Sequence, residues 1–218
     1  MDTDAVVRRL RFRNLNPRLE GMARELAEAA RAVARPPAIY RVARPCVIDS
    51  ATVEIDGVRF TSRALSKNLV DQAPVYPFIA TAGQEMEGLP IPAGDVMRQY
   101  CLDIIKTVVL VSAVDHLSDY IKNTYSLGNV THMNPGEIED WPITQQKPLF
   151  ALFGGAERQI GVTLTESGVM KPIKSRSGIL FPNESGFVSC QLCTQVKCPG
   201  RRAGYDPALV EEMLGAPS

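Results

Sequence analysis

The sequence is short of most features that announce a function on their own. It has no excess charge: 24 basic residues meet 24 acidic ones, which removes any general electrostatic pull toward nucleic acid or anionic lipid. It has no long hydrophobic run. The most apolar stretch, TVVLVSAV at 107–114, is closed by Lys106 and Asp115, short of the roughly 18 uninterrupted apolar residues of a spanning helix. The N-terminus has two early aspartates among its arginines and no apolar h-region, which speaks against a secretory signal or an organelle presequence. Histidine is scarce, with two residues, and no Ser/His/Asp or Cys/His arrangement pairs a nucleophile with a base. Neither a Walker sequence nor G-x-G-x-x-G is present to cradle phosphates. These absences point to a cytoplasmic chain that meets a protein partner or a small ligand, with neither nucleic acid nor membrane as its target.

What is there suffices for a core, since 45% of the 218 residues are hydrophobic. Residues 16–34 put Leu19, Met22, Leu26, Ala30 and Val33 on one helical stripe, with Asn16 as cap and Pro17 at the first position. Asp56-Gly57 between two alternating runs marks a hairpin, because both turn residues must accept positive φ. Ser62 opens a short helix over 62–70, and VYPFIATAG (75–83) reads as a buried strand. Residues 95–124 form one long helix with an acidic cap, apolar almost all round and therefore buried on more than one side. About 30 residues at 1.5 Å each span about 45 Å, which leaves a kink or an early end open. Past Gly128 the chain reads as loop, then as a short helix within 144–155 with Pro148 in its first turn. Three short strands are expected within 160–182, and a last helix over 206–214 with Asp206 as cap and Pro207 at its start. The expected fold is α+β, a single domain with a mixed or antiparallel twisted sheet flanked by helices, one of them long and central. Residues 1–182 form its body, and residues 183–218 a cysteine-containing tail packed on it.

Three of the five cysteines crowd into CQLCTQVKCPGRR at 190–202. Thiolates at C-x2-C-x4-C spacing fit a Cys-rich zinc site or three corners of an iron–sulfur cluster, so Cys190, Cys193 and Cys198 are candidate metal ligands. Lys197, Arg201 and Arg202 would lower the thiolate pKa values. A fourth ligand would come from Cys46 or Cys101, or the position would stay open; both read first as structural residues. The alternative is three free thiols in a tail. The stretch THMNPGEIEDWP (131–142) holds a Pro135-Gly136 turn and the single tryptophan, Trp141, which reads as a core plug. His116, beside Asp115 and Asp119, reads as solvated or satisfied.

NPGEIEDWP followed by IGVTLTESGVMKPIKSRSGILF resembles the activation (reactivation) domain of vitamin B12-dependent methionine synthase, in its short free-standing form. The resemblance runs through Pro135-Gly136, Trp141-Pro142, Leu149-Phe150, Gly161-Val162-x-Leu164-Thr165-Glu166-Ser167, Met170-x-Pro172 and Ser177-Gly178. It covers roughly residues 128–182, with looser similarity upstream through ATAG and the long helix. The resemblance implies an accessory protein that docks over cobalamin carried by a partner, either a corrinoid-binding protein or a split methionine synthase. It implies binding of S-adenosylmethionine (SAM), so that one-electron reduction and methyl transfer restore methylcobalt, with the hard chemistry left to the cofactors. The implied cofactor-binding residues are His132, Pro135, Gly136, Glu137 and Glu166, with no catalytic residue. His132 and Glu137 stand where the family carries an arginine on the SAM carboxylate and a tyrosine after the glycine. A family tyrosine pair falls near Phe187 and Val188. The cysteine cluster lies outside the family pattern, and an iron–sulfur cluster there would deliver the electron that the full-length enzyme takes from a flavoprotein donor. The alternative is an iron–sulfur or zinc-bearing docking or redox accessory for another corrinoid methyl-transfer or demethylase system.

Overall fold

The computed structural model describes residues 4, 6–7, 17–72, 74–198 and 200–215. The Asn16 cap and most of the N-terminal segment read against a leader lie outside the described residues. In chain order the elements are helix α1 (Pro17–Val33), strands β1 (Ala38–Tyr40), β2 (Pro45–Val47), β3 (Thr52–Ile55) and β4 (Val58–Thr61), helix α2 (Arg63–Leu69), strand β5 (Tyr76–Thr81), helix α3 (Val96–Thr124), strand β6 (Val130–Met133), helix α4 (Gln146–Ala151), strands β7 (Thr163–Leu164), β8 (Met170–Lys171) and β9 (Ser175–Pro182), and helix α5 (Pro207–Leu214).

Strand β5 sets the architecture, because it is buried along its whole length and side chains alternate across a strand. Tyr76, Phe78 and Ala80 enter one core with Leu180 of β9; Ile79 enters a second with Ile179 and Phe181. The sheet between these cores has the order β1-β5-β9-β6 and is antiparallel throughout. Helices α1 and α3 cover the first face. The α1 surface that packs there is Ala23, Leu26, Ala27 and Ala30, with Met22 and Val33 at its margin. The buried stripe thus runs through small alanines, and Leu19 of the expected stripe is only partly buried. Helix α3 runs unbroken for 29 residues, about 44 Å at 1.5 Å each. Asp95 caps it by accepting the Arg98 N–H at 2.9 Å. Burial against both α1 and the sheet explains its apolar circumference.

The second face is covered by the antiparallel sheet β2-β3-β4, by α2 and α4, and by residues after β9. The β3–β4 turn has both Asp56 and Gly57 at positive φ, 46° and 83°, as its sequence requires. Phe187 and Leu192 join this core, with Leu209, Val210, Met213 and Leu214 packed against it. Arg63 and Lys67 of α2 donate to the carbonyls of Leu214 and Glu212, tying α5 down. No helix among the described residues is long and apolar enough to cross a membrane. Strand β6 corrects the expectation of loop past Gly128: Val130–Met133 pairs with β9, and three of its four residues are buried.

Candidate functional site: a polar cleft at the edge of the sheet

Strands β6 and β9 pair from Val130↔Pro182 to Met133↔Ile179. There β6 turns away, while β9 continues to Ser175 with β5 on one side only. Pro135 has no N–H to continue a ladder, and Gly136 takes a φ of 84° that side chains rarely adopt. The turn is anchored from below. The Gly136 N–H donates to the Trp141 carbonyl at 2.7 Å, and Trp141, fully buried, meets Phe60 edge-on at 6.3 Å. Asp140 accepts from the Ser62 hydroxyl at 2.5 Å and the Ala64 N–H at 3.0 Å, fastening the turn to the start of α2. Gly178 completes the fit, because a Cβ there would collide with the Met133 carbonyl and Asn134 Oδ1.

The departure of β6 opens a cleft of about 260 Å³. Its walls are Asn134 to Glu137 on one side, Ser175 to Ser177 on the other, and Gln146 and Met170 at the ends. Three buried oxygens here, Asn134 Oδ1, Gln146 Oε1 and Ser177 Oγ, have no hydrogen-bond partner. A buried polar atom left unpaired costs about 1–3 kcal/mol, and these three oxygens are shielded from solvent beneath the cleft surface. Glu137 is held in place, accepting from Asn134 Nδ2 at 2.9 Å and pairing with Arg202 at 3.5 Å. Gly136 and Glu137 are also one wall of a second cavity of about 550 Å³, closed on its far side by Leu192, Cys193, Tyr205, Val210 and Leu214.

His132 sits behind the cleft on β6, opposite Leu180, with its ring edge-on to Phe78 at 6.0 Å. Burial, reinforced by the positive charges of Arg202 and Arg176, pushes its pKa down to about 3, so the imidazole is neutral. Its Nε2 has no partner. The Asp115 carboxyl on α3 is raised by burial and drawn back by the same two arginines, which places one charged neighbourhood behind the turn.

Of the expected binding residues, Pro135, Gly136 and Glu137 line the cleft and His132 lies behind it. Glu166 does not line it. It is exposed in the β7–β8 turn, where Thr165 accepts the Val169 N–H at 3.0 Å and meets the Ser167 hydroxyl at 3.0 Å. The Thr-Glu-Ser motif is thus a self-contained turn. It stands beside the cleft because Gly168 and Gly136 both abut Ile143. Asn134, Gln146, Arg176, Ser177 and Arg202 were missed. Asn134 and Ser177 lie inside the matching motifs and Arg176 directly precedes one of them; Gln146 and Arg202 carry no such signal.

The cysteines are the other expected site. Among the described residues, no group of three or more His, Cys, Asp or Glu is gathered to hold a metal ion. Cys190 is buried, Cys193 and Cys198 are partly exposed, Cys101 is in the α1–α3 core and Cys46 is exposed on β2. Arg201 organises the loop instead. Its guanidinium donates to the carbonyls of Cys190 at 3.1 Å, Ala203 at 3.0 Å, Cys193 at 3.0 Å and Gln195 at 2.6 Å. The Arg202 N–H donates to Cys190 Sγ at 3.5 Å. These arginines fold the loop backbone round the thiols.

The structure defines a class: an α+β domain whose antiparallel sheet is covered by a long helix on one face and opens a polar cleft at one edge. Among solved structures, this chain is similar to the MetH reactivation domain bound to AdoHcy. The two align over 98% of this chain and 84% of that one, with a TM-score of 0.61 at 15% identity. No family model matches the sequence, and no curated protein matches it either.

Proposed function

We propose that this protein is the reactivation component of a corrinoid-dependent methyltransferase, most simply a split methionine synthase, and that it binds SAM at the cleft beside Pro135-Gly136. The observation that carries this reading is the cleft itself, lined at the sheet edge by Asn134, Pro135, Gly136, Glu137, Gln146 and Ser177, in a fold similar to that of the MetH reactivation domain bound to AdoHcy. AdoHcy and SAM share an adenosine and an amino-acid end. At about 260 Å³ the cleft is below the roughly 300 Å³ at which pockets for drug-sized ligands begin, so it takes one end of such a molecule. The rest extends over the Gly136–Glu137 wall that the larger cavity shares.

When bound, SAM supplies the methyl group, and the partner's cobalamin supplies the cobalt that receives it after one-electron reduction. The chain's own residues orient and shield. Glu137, held by Asn134, orients the ligand, and Pro135 and Gly136 let it approach the backbone. The exposed Glu166 turn stands at the rim where a corrinoid protein docks. In this reading residues 1–182 are the body, residues 183–218 close the second cavity, and the protein works in the cytoplasm with a separate electron donor. The thiols at 190, 193 and 198 do not fit a three-thiolate metal site, so no step runs through them. The test is genetic rescue. Co-expression with a synthase that lacks its reactivation domain restores growth without methionine; failure with a matched partner would exclude methionine as the product.

A further inference from the structure

Two of the three clustered thiols stand at the ends of one tight turn. A 3-10 helix, Ser189–Leu192, delivers the chain to Cys193, whose N–H closes on the Cys190 carbonyl at 3.3 Å. In such a turn residues three apart stack along one edge at a rise of about 2 Å each, so their Cα atoms lie about 6 Å apart. That falls within the roughly 4.4–6.8 Å that a disulfide spans. One guanidinium fixes both ends, because Arg201 donates to the Cys190 carbonyl at 3.1 Å and to the Cys193 carbonyl at 3.0 Å. All five cysteines are free thiols.

The two thiols of the turn differ in access. Cys193 is partly exposed and lines the cavity of about 550 Å³ that Gly136 and Glu137 also wall. Cys190 is buried, yet it belongs to neither hydrophobic cluster, and its sulfur accepts the Arg202 N–H at 3.5 Å. Cys101, by contrast, is a member of the α1–α3 core.

We propose that Cys190 and Cys193 are a redox-active dithiol that exchanges with small disulfides entering the larger cavity. Cys193, the reachable thiol, attacks one sulfur of a disulfide RSSR; that S–S bond breaks, a mixed disulfide forms on Cys193, and one RSH leaves. Cys190, closed to reagents from outside, then attacks the Cys193 sulfur across the turn, the mixed bond breaks, and the second RSH leaves. The two protein thiols give up two electrons and two protons, and RSSR takes them up as two RSH. The pair is independent of the SAM reading, since it needs only the turn and the cavity, whatever ligand the cleft takes.

In the test, the reduced full chain is incubated with glutathione disulfide under native conditions, the remaining thiols are alkylated, and the tryptic peptides are mapped by mass without reduction. Trypsin cuts after Arg176 and Lys197, so residues 177–197 carry Cys190 and Cys193 together and Cys198 falls in the next peptide. The expected product is the first peptide two hydrogens lighter, with neither glutathione nor alkyl groups on it. Cys46 and Cys198, single thiols, keep glutathione as a mixed disulfide. Cys190→Ser halts the reaction with glutathione on Cys193, Cys193→Ser abolishes it in this peptide, and Cys198→Ser leaves it unchanged. Stable glutathione on Cys193 of the wild type, an unreacted pair, or a link from the pair to Cys198 overturns the proposal. The wild-type map decides this even where a variant fails to fold, and none of its outcomes bears on whether SAM binds.

Discussion

Acidification should expose His132. Its ordinary pKa of 6.5 holds in the unfolded chain, while burial and two neighbouring arginines push it down to about 3 in the fold. Above pH 6.5 both states carry a neutral ring and stability is complete. As the pH falls from 6.5 toward 3 the unfolded chain binds a proton that the folded protein refuses, so stability is lost progressively through that window. At 1.36 kcal/mol per pH unit the whole window is worth roughly 4–5 kcal/mol, against a typical total of about 5–15 kcal/mol. Between pH 7.5 and 4.5 the loss is about 2–3 kcal/mol. Asp115 acts in the opposite sense, because its raised carboxyl pKa makes the folded state the better proton binder. The assay is therefore a difference: urea unfolding of the wild type and His132→Leu at both pH values. Leucine suits an apolar site where Nε2 has no partner. The stability difference between the two proteins should shift by about 2–3 kcal/mol against the wild type on acidification. Parallel loss in both would refute the reasoning.

Three further outcomes follow from packing. Gly178→Ala drives a methyl into the Met133 carbonyl and Asn134 Oδ1; it costs about 2–3 kcal/mol in urea unfolding and disrupts ligand binding at the cleft. Asp140→Ala frees the Ser62 hydroxyl and the Ala64 N–H, lowering stability by about 1–2 kcal/mol without changing the ligand preference of the cleft. With a thiol reagent, Cys46, Cys193 and Cys198 react in the native protein, whereas Cys101 and Cys190, both buried, react only on unfolding.

Local signals were legible wherever one residue decides one backbone conformation. Asp56-Gly57 made its turn, Ser62 and Asp95 capped their helices, and Asp206 accepted from two N–H groups at 3.1 Å. Strands β1, β2 and β6 were not legible. They have three or four residues each, too few for a period-2 pattern, and β6 owes its place to β9, far along the chain. The cleft inherits that difficulty. Its Pro135-Gly136-Glu137 wall was readable as a motif, but Arg176 and Ser177 reach it only through β6–β9 pairing, and Gln146 only through the fold of the intervening loop. The cysteines show the reverse. Close spacing in the chain predicted a shared ion, yet Arg201 spends its donors on the loop's carbonyls, and the thiols do not converge.

The central claim is tested most directly by spectroscopy on a mixture. The protein is added to a cognate corrinoid protein in the cobalt(II) state, with SAM and a low-potential electron donor, and the corrinoid spectrum is followed. The account predicts conversion to the methylcobalt form that requires both this chain and SAM. A spectrum that stays at cobalt(II) with the chain present, or changes equally without it, would contradict the account.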